Sequence, residues 1–90
     1  MFGGEGDDDM YGDDESGYEY GNDEMHGGAG DDEMRGGLGD DKIHGDEGDD
    51  YITGDSGEDI LWGGEGYDVI YSGSGWDTIF GGPGCDIIYT

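Results

Sequence analysis

Gly27-Gly28-Ala29-Gly30-Asp31-Asp32-Glu33-Met34-Arg35 is followed at once by Gly36-Gly37-Leu38-Gly39-Asp40-Asp41-Lys42-Ile43-His44, which repeats its pattern position for position. A nine-residue period therefore governs the chain. A first repeat runs from Gly3 to Tyr11, and eight contiguous ones begin at Tyr18, Gly27, Gly36, Gly45, Gly54, Gly63, Ser72 and Gly81, the last ending at Tyr89. Between the two blocks, Gly12 to Gly17 falls out of register and reads as a surface loop thrown out between two coils. Three positions hold throughout. Position four is glycine (Gly6, Gly21, Gly30, Gly39, Gly48, Gly57, Gly66, Gly75, Gly84), position six is aspartate, and position eight is a large apolar residue (Met10, Met25, Met34, Ile43, Ile52, Leu61, Ile70, Ile79, Ile88). The departures are mild. Tyr18-Glu19-Tyr20 replaces the opening glycines of the second repeat, Asp46 and Asp55 stand at position two, and Ser72 stands at position one. Asp tolerates turn conformations better than most residues.

Composition sets the limits. Ninety residues with 24 glycines and 30% hydrophobic content cannot enclose an ordinary globular core, so residues 1–90 read as a single array. A net charge of −24, with Arg35 and Lys42 as the basic residues, excludes a nucleic-acid partner and membrane insertion and points to a cation. Met1-Phe2-Gly3-Gly4 has neither the basic nor the apolar region of a cleaved signal peptide, and no apolar run is long enough to span a bilayer. The single cysteine, Cys85, rules out an internal disulfide framework. Composition alone reads as disorder, a fair description of the metal-free chain. Random acidic disorder has no strict period, however.

The spacing predicts an all-β fold, a right-handed parallel β-roll or solenoid with two short strands per 18-residue coil. Six residues rich in glycine turn the chain and leave backbone carbonyls pointing inward; the next three alternate outward, inward, outward as a short strand, so position eight faces the interior. Stacking at roughly 4.8 Å puts the position-six carboxylates in two columns, one along each edge of the roll. Each bare neighbouring pair would repel by about 1 kcal/mol even in water. A divalent cation between turns removes that cost, and carboxylate plus carbonyl oxygens are what Ca²⁺ selects. Metal binding and folding are accordingly expected to be one event.

The nonapeptide pattern, held over nine repeats from Gly3 to Tyr89, resembles the RTX (repeats-in-toxin) calcium-binding β-roll of bacterial exoproteins released by type I secretion. The resemblance implies a Ca²⁺ ion between each turn and the turn two repeats along. The aspartates would be Asp8, Asp23, Asp32, Asp41, Asp50, Asp59, Asp68, Asp77 and Asp86, and the carbonyl ligands would come from the glycine segments, here Gly28, Gly30, Gly37, Gly39, Gly48, Gly57, Gly64 and Gly66. Six ions would lie between Asp23 and Asp41, Asp32 and Asp50, Asp41 and Asp59, Asp50 and Asp68, Asp59 and Asp77, and Asp68 and Asp86, with a seventh between Asp8 and Asp32 if the loop preserves the roll. It also implies a secreted module, unfolded in the cytosol, that folds in extracellular calcium and supports the folding of an attached domain.

Outward positions change character along the chain, from Asp31, Glu33 and Arg35 to Trp76, Thr78 and Phe80 and then Cys85, Ile87 and Tyr89. These late residues read either as β-formers stabilising a strand ladder or, with Ile60, Trp62, Val69 and Tyr71, as a sticky surface for a C-terminal cap, an adjacent domain or a second copy. The alternative function is thus a structural or adhesive array, natural or designed, that self-associates through this surface. The C-terminal end is expected to order first, because its inner residues are Ile where the N-terminal repeats use Met. Catalysis is not expected: every repeat carries similar carboxylates, whereas an acid/base enzyme needs two distinguished ones. His26 and His44, at outward position nine, read as solvated or strand-pairing. The glycines form no phosphate loop, and EF-hand spacing fits no window.

Overall fold

The computed structural model describes residues 4, 6, 9–11, 22–84 and 86–89. Nine three-residue strands alternate between two parallel sheets: β1 (Asp9–Tyr11), β2 (Glu24–His26), β3 (Glu33–Arg35), β4 (Lys42–His44), β5 (Tyr51–Thr53), β6 (Ile60–Trp62), β7 (Val69–Tyr71), β8 (Thr78–Phe80) and β9 (Ile87–Tyr89). One sheet runs β1-β3-β5-β7-β9 and the other β2-β4-β6-β8. Each strand from β2 onward occupies positions seven to nine of its repeat, and each from β2 to β7 pairs with the strand 18 residues along, Met25 opposite Ile43 and Ile52 opposite Ile70. The fold is a β-solenoid of about four turns.

Three residues suffice for a strand here because glycine-rich turns bound each one and the pleat needs a single inward side chain. Met25, Met34, Ile43, Ile52, Leu61 and Ile70 are fully buried and form the core, one column from each sheet, with Ile79 packed against it. Position eight is therefore the interior position. Ile88 keeps the position yet is 45% exposed, since β9 is the last strand of its sheet.

The insertion leaves the roll in register. β1 pairs with β3 across 24 residues, Met10 opposite Met34, and the N–H of Gly6 donates to the carbonyl of Ala29 at 3.0 Å. The added six residues are absorbed between β1 and β2. The loop at 12–17 and the irregular opening at Tyr18 to Tyr20 lie outside the described residues.

Outward side chains stack along both sheets, as parallel in-register pairing requires. On the four-stranded sheet the position-nine rings of His26, His44, Trp62 and Phe80 form one ladder, with centroids 4.4, 4.1 and 5.8 Å apart in turn. Tyr71 and Tyr89 stack at 4.5 Å on the other sheet, and Tyr51 tilts against Tyr71. Late aromatic residues thus do extend a strand ladder. At the C-terminal end Trp76, Phe80, Ile87 and Tyr89 are nonetheless exposed.

Candidate metal centre

The turns connecting the strands stack along two edges. Residues 27–32, 45–50, 63–68 and 81–86 lie on one edge; 36–41, 54–59 and 72–77 lie on the other. Position six closes each turn immediately before a strand, which fixes its carboxylate at the rim of the core. Asp32, Asp41, Asp50, Asp59 and Asp68 are all at most 2% exposed. Five buried aspartates in so small a protein demand partners.

Half of each carboxylate finds one. Oδ1 of Asp41 accepts the backbone N–H of Asp23, and the same bond joins Asp50 to Asp32, Asp59 to Asp41, Asp68 to Asp50, Asp77 to Asp59 and Asp86 to Asp68, all at 2.8–3.0 Å. Oδ2 of Asp23, Asp50, Asp59, Asp68 and Asp77 is buried and accepts no hydrogen bond. A buried carboxylate oxygen without a donor costs free energy in proportion to its charge, so the arrangement asks for a cation.

Oxygens that could hold one converge at position one. A Cβ on Gly45 would stand 2.6 Å from Oδ2 of Asp50 and 2.5 Å from the carbonyl oxygen of Gly63 in the next coil. The same cradle recurs at Gly27 with Asp32 and the carbonyl of Gly45, at Gly36 with Asp41 and that of Gly54, at Gly54 with Asp59 and that of Ser72, and at Gly63 with Asp68 and that of Gly81. Each cradle joins two turns that are 18 residues apart. Carboxylate and carbonyl oxygens on facing sides of a gap are a hard-cation donor set.

A family model described as the RTX calcium-binding nonapeptide repeat (4 copies) matches residues 1–17, 19–52 and 53–88. The chain belongs to the RTX calcium-binding nonapeptide repeat family. No curated protein and no solved structure matches it. The RTX repeats bind calcium, and the buried aspartate ladder is consistent with that ion.

Within the RTX turns, the glycines singled out from the sequence are packed between coils. The carbonyls of Gly30, Gly39, Gly48 and Gly66 each face the α-carbon of the position-four glycine in the next coil, respectively Gly48, Gly57, Gly66 and Gly84, and that of Gly57 faces Gly75. At position two, the carbonyl of Gly37 accepts the N–H of Ser56 at 3.1 Å, while Gly28 and Gly64 pack against the carbonyls of Gly4 and Asp46. Asp46 and Asp55 take φ of 69°, close to the left-handed conformation that Asp tolerates. Asp8 and Gly21 lie outside the described residues.

Two features escaped the sequence reading. The carbonyls that meet the Oδ2 atoms in these cradles belong to position one, Gly45, Gly54, Gly63, Ser72 and Gly81. Position five also ties the coils together. Oδ1 of Asp31 accepts the N–H of Asp49, Asp49 that of Tyr67, Asn22 that of Asp40 and Asp40 that of Glu58, at 2.8–2.9 Å. The only sequence signal for the latter is the run of short oxygen-bearing residues at that position.

Burial drives the carboxyl groups of Asp50 and Asp59 up to about 7 and that of Asp68 to about 6, helped by the neighbouring aspartates of the column and opposed by the backbone N–H bonds to Oδ1. The ordinary value is 3.8. A carboxyl whose value is raised on folding binds more protons folded than unfolded, so without metal it stabilises the fold at low pH and loses that contribution as pH rises toward 7. The calcium-free chain is therefore expected to gain β structure between about pH 7.5 and pH 4.5. Calcium competes with the same protons, so its affinity should fall over the same window; circular dichroism of metal-depleted and calcium-titrated samples at both pH values checks both signs.

Proposed function

We propose that this RTX array is a secreted, calcium-driven folding module that orders on meeting extracellular calcium and helps an attached domain leave the cell and fold. The observation that carries the reading is the pair of buried aspartate columns whose Oδ2 atoms face carbonyl oxygens across a gap. The six aspartate pairs from Asp23/Asp41 to Asp68/Asp86 would each take one ion. The in-register stacking of the first coil on the turn 27–32 supports a seventh ion, between Asp8 and Asp32. When bound, calcium neutralises the columns; the chain itself supplies the stacked oxygens and the inward apolar residues that hold the coils together. No catalytic role is proposed, since the repeated carboxylates are equivalent.

The test is a calcium titration followed by far-UV circular dichroism, with magnesium as control. A cooperative rise of β signal at roughly 10⁻⁴–10⁻³ M calcium, the range of extracellular modules, is expected with calcium and not with magnesium. A chain that is fully folded after metal removal at neutral pH would overturn the reading.

The exposed C-terminal coil favours a second reading, a structural or adhesive array. Ile88 occupies an interior position yet is exposed, beside Ile87, Tyr89 and Phe80. Such an end would receive a cap, an adjacent domain or a second copy. Sedimentation of the calcium-loaded chain separates the readings: a monomer supports the folding module, and a concentration-dependent oligomer supports the array.

A further inference from the structure

Away from the turn edges, the outer face of the four-stranded sheet carries a different ligand set. His26 ends β2 and His44 ends β4, and in-register pairing sets them side by side with rings 3° from parallel. Glu24 lies two residues before His26 on the same strand and so shares its face. Its Oε1 is 3.0 Å from Nε2 of His26, and one ligand atom from each of Glu24, His26 and His44 fits within a span of 4.8 Å. On the other side of the His26 ring, Oδ2 of Asp46 lies 3.9 Å from Nδ1. That same Oδ2 accepts the N–H of Gly28 at 3.1 Å, which anchors it.

Two imidazoles and a carboxylate suit borderline ions such as Zn²⁺ or Ni²⁺, whereas calcium takes oxygen ligands. Two ligand atoms each about 2.0–2.1 Å from a tetrahedral ion sit roughly 3.4 Å apart. The contact between His26 and Glu24 therefore needs to open by only a few tenths of an ångström. His44 has more to do: parallel rings send their lone pairs in parallel directions, so its ring must tilt off His26 to reach a shared ion. Its other face lies on Trp62 at 4.1 Å. Lys42, paired opposite Glu24 on β4, opposes the cation and limits the affinity.

We infer that Glu24, His26 and His44 form a site for one transition-metal ion of the Zn²⁺ class. The site is separate from the aspartate columns and does not rest on their assignment to calcium. Its ligands come from neighbouring strands β2 and β4, one full coil apart in the chain, so an ion there would pin successive coils of the four-stranded sheet together.

The chain has two histidines, so every imidazole proton resonance in its NMR spectrum comes from this site. ZnCl₂ titrated into the full chain in excess calcium and magnesium is expected to shift both sets of resonances and to saturate at one equivalent. By calorimetry, His26→Gln and His44→Gln should each weaken that binding at least about tenfold, since loss of a mere orienting partner often costs that much; Lys42→Gln should tighten it. Imidazole resonances of the unaltered chain that stay fixed while zinc binds would place the ion on the carboxylates and overturn the site. So would zinc affinity unchanged by both histidine substitutions, or no zinc binding at all.

Discussion

Replacing Asp59 by alanine is expected to raise the calcium concentration at the folding midpoint several-fold. Asp59 is fully buried in the middle of its column. Its Oδ1 accepts the N–H of Asp41, its own N–H donates to Asp77, and its Oδ2 stands at the cradle formed by Gly54 and the carbonyl of Ser72. Alanine leaves the N–H of Asp41 buried without its acceptor, a loss of about 1–3 kcal/mol, and because several ions bind in the same folding event the midpoint moves less than the tenfold that about 1.4 kcal/mol gives for a single site. On the proposed assignment it also strips a ligand from two ions, those shared with Asp41 and Asp77. Asp86→Ala, at the end of the other column, removes one acceptor and one ion site, so its shift should be smaller. Asp59→Asn separates the two contributions, because the amide oxygen can still accept from Asp41 while the charge is gone. Calcium titrations by circular dichroism and calorimetry should find the asparagine chain short of bound calcium; a stoichiometry equal to that of the unaltered chain would remove Asp59 from the ligand set.

The nine-residue period made the fold legible because a stack of equal coils allows few solutions. Each repeat must return the chain to the same place, so an apolar residue every nine positions must face one interior, and Met25 to Ile70 do so. The six-residue insertion could be read as a loop, but whether the coils continued across it depended on pairing between β1 and β3, which no local pattern encodes. The aspartate columns were equally legible, since position six repeats without exception. The carbonyl partners were not. Glycine at positions two and four announces a turn, whereas position-one glycines have no positive φ among the described turns and are needed for room beside the following coil. That need is set by a residue 18 positions away. For the same reason the period does not show that Asp31, Asp40 and Asp49 each accept an N–H from the next coil. The histidine pair follows from the period as well, but the approach of Glu24 depends on side-chain conformation, which sequence spacing leaves open.

Gly57→Ala is expected to prevent the coil from closing at any calcium concentration, whereas Gly54→Ala, three residues earlier in the same turn, should fold and lose one ion. Gly57 has φ of 123°. That is far beyond the left-handed conformation near 57° that Asp46 and Asp55 approach at position two, so even residues tolerant of turns cannot serve at position four. A Cβ there would also be driven into the carbonyl of Gly39 in the preceding coil. The coils cannot separate to make room, since strand ladders on both sheets fix their spacing. Strain and clash together should cost about 3 kcal/mol or more, a large fraction of the stability of a small domain. Gly54 differs in kind. Its φ is not positive, and an added Cβ meets Oδ2 of Asp59 at 2.5 Å and the carbonyl of Ser72 at 2.7 Å, the two oxygens facing the gap. The methyl group would stand between those oxygens, displacing the flexible Asp59 carboxylate and pushing the Ser72 carbonyl by a few tenths of an ångström, a smaller strain than at Gly57, where the carbonyl of Gly39 is met far more closely. Circular dichroism in saturating calcium should therefore show β structure for Gly54→Ala and none for Gly57→Ala, and calorimetry should count one calcium fewer in the former. If Gly54→Ala kept its full complement of calcium, the ion would have to sit outside the position-one cradle; if Gly57→Ala folded normally, the turns could not be stacked as closely as the glycine column requires.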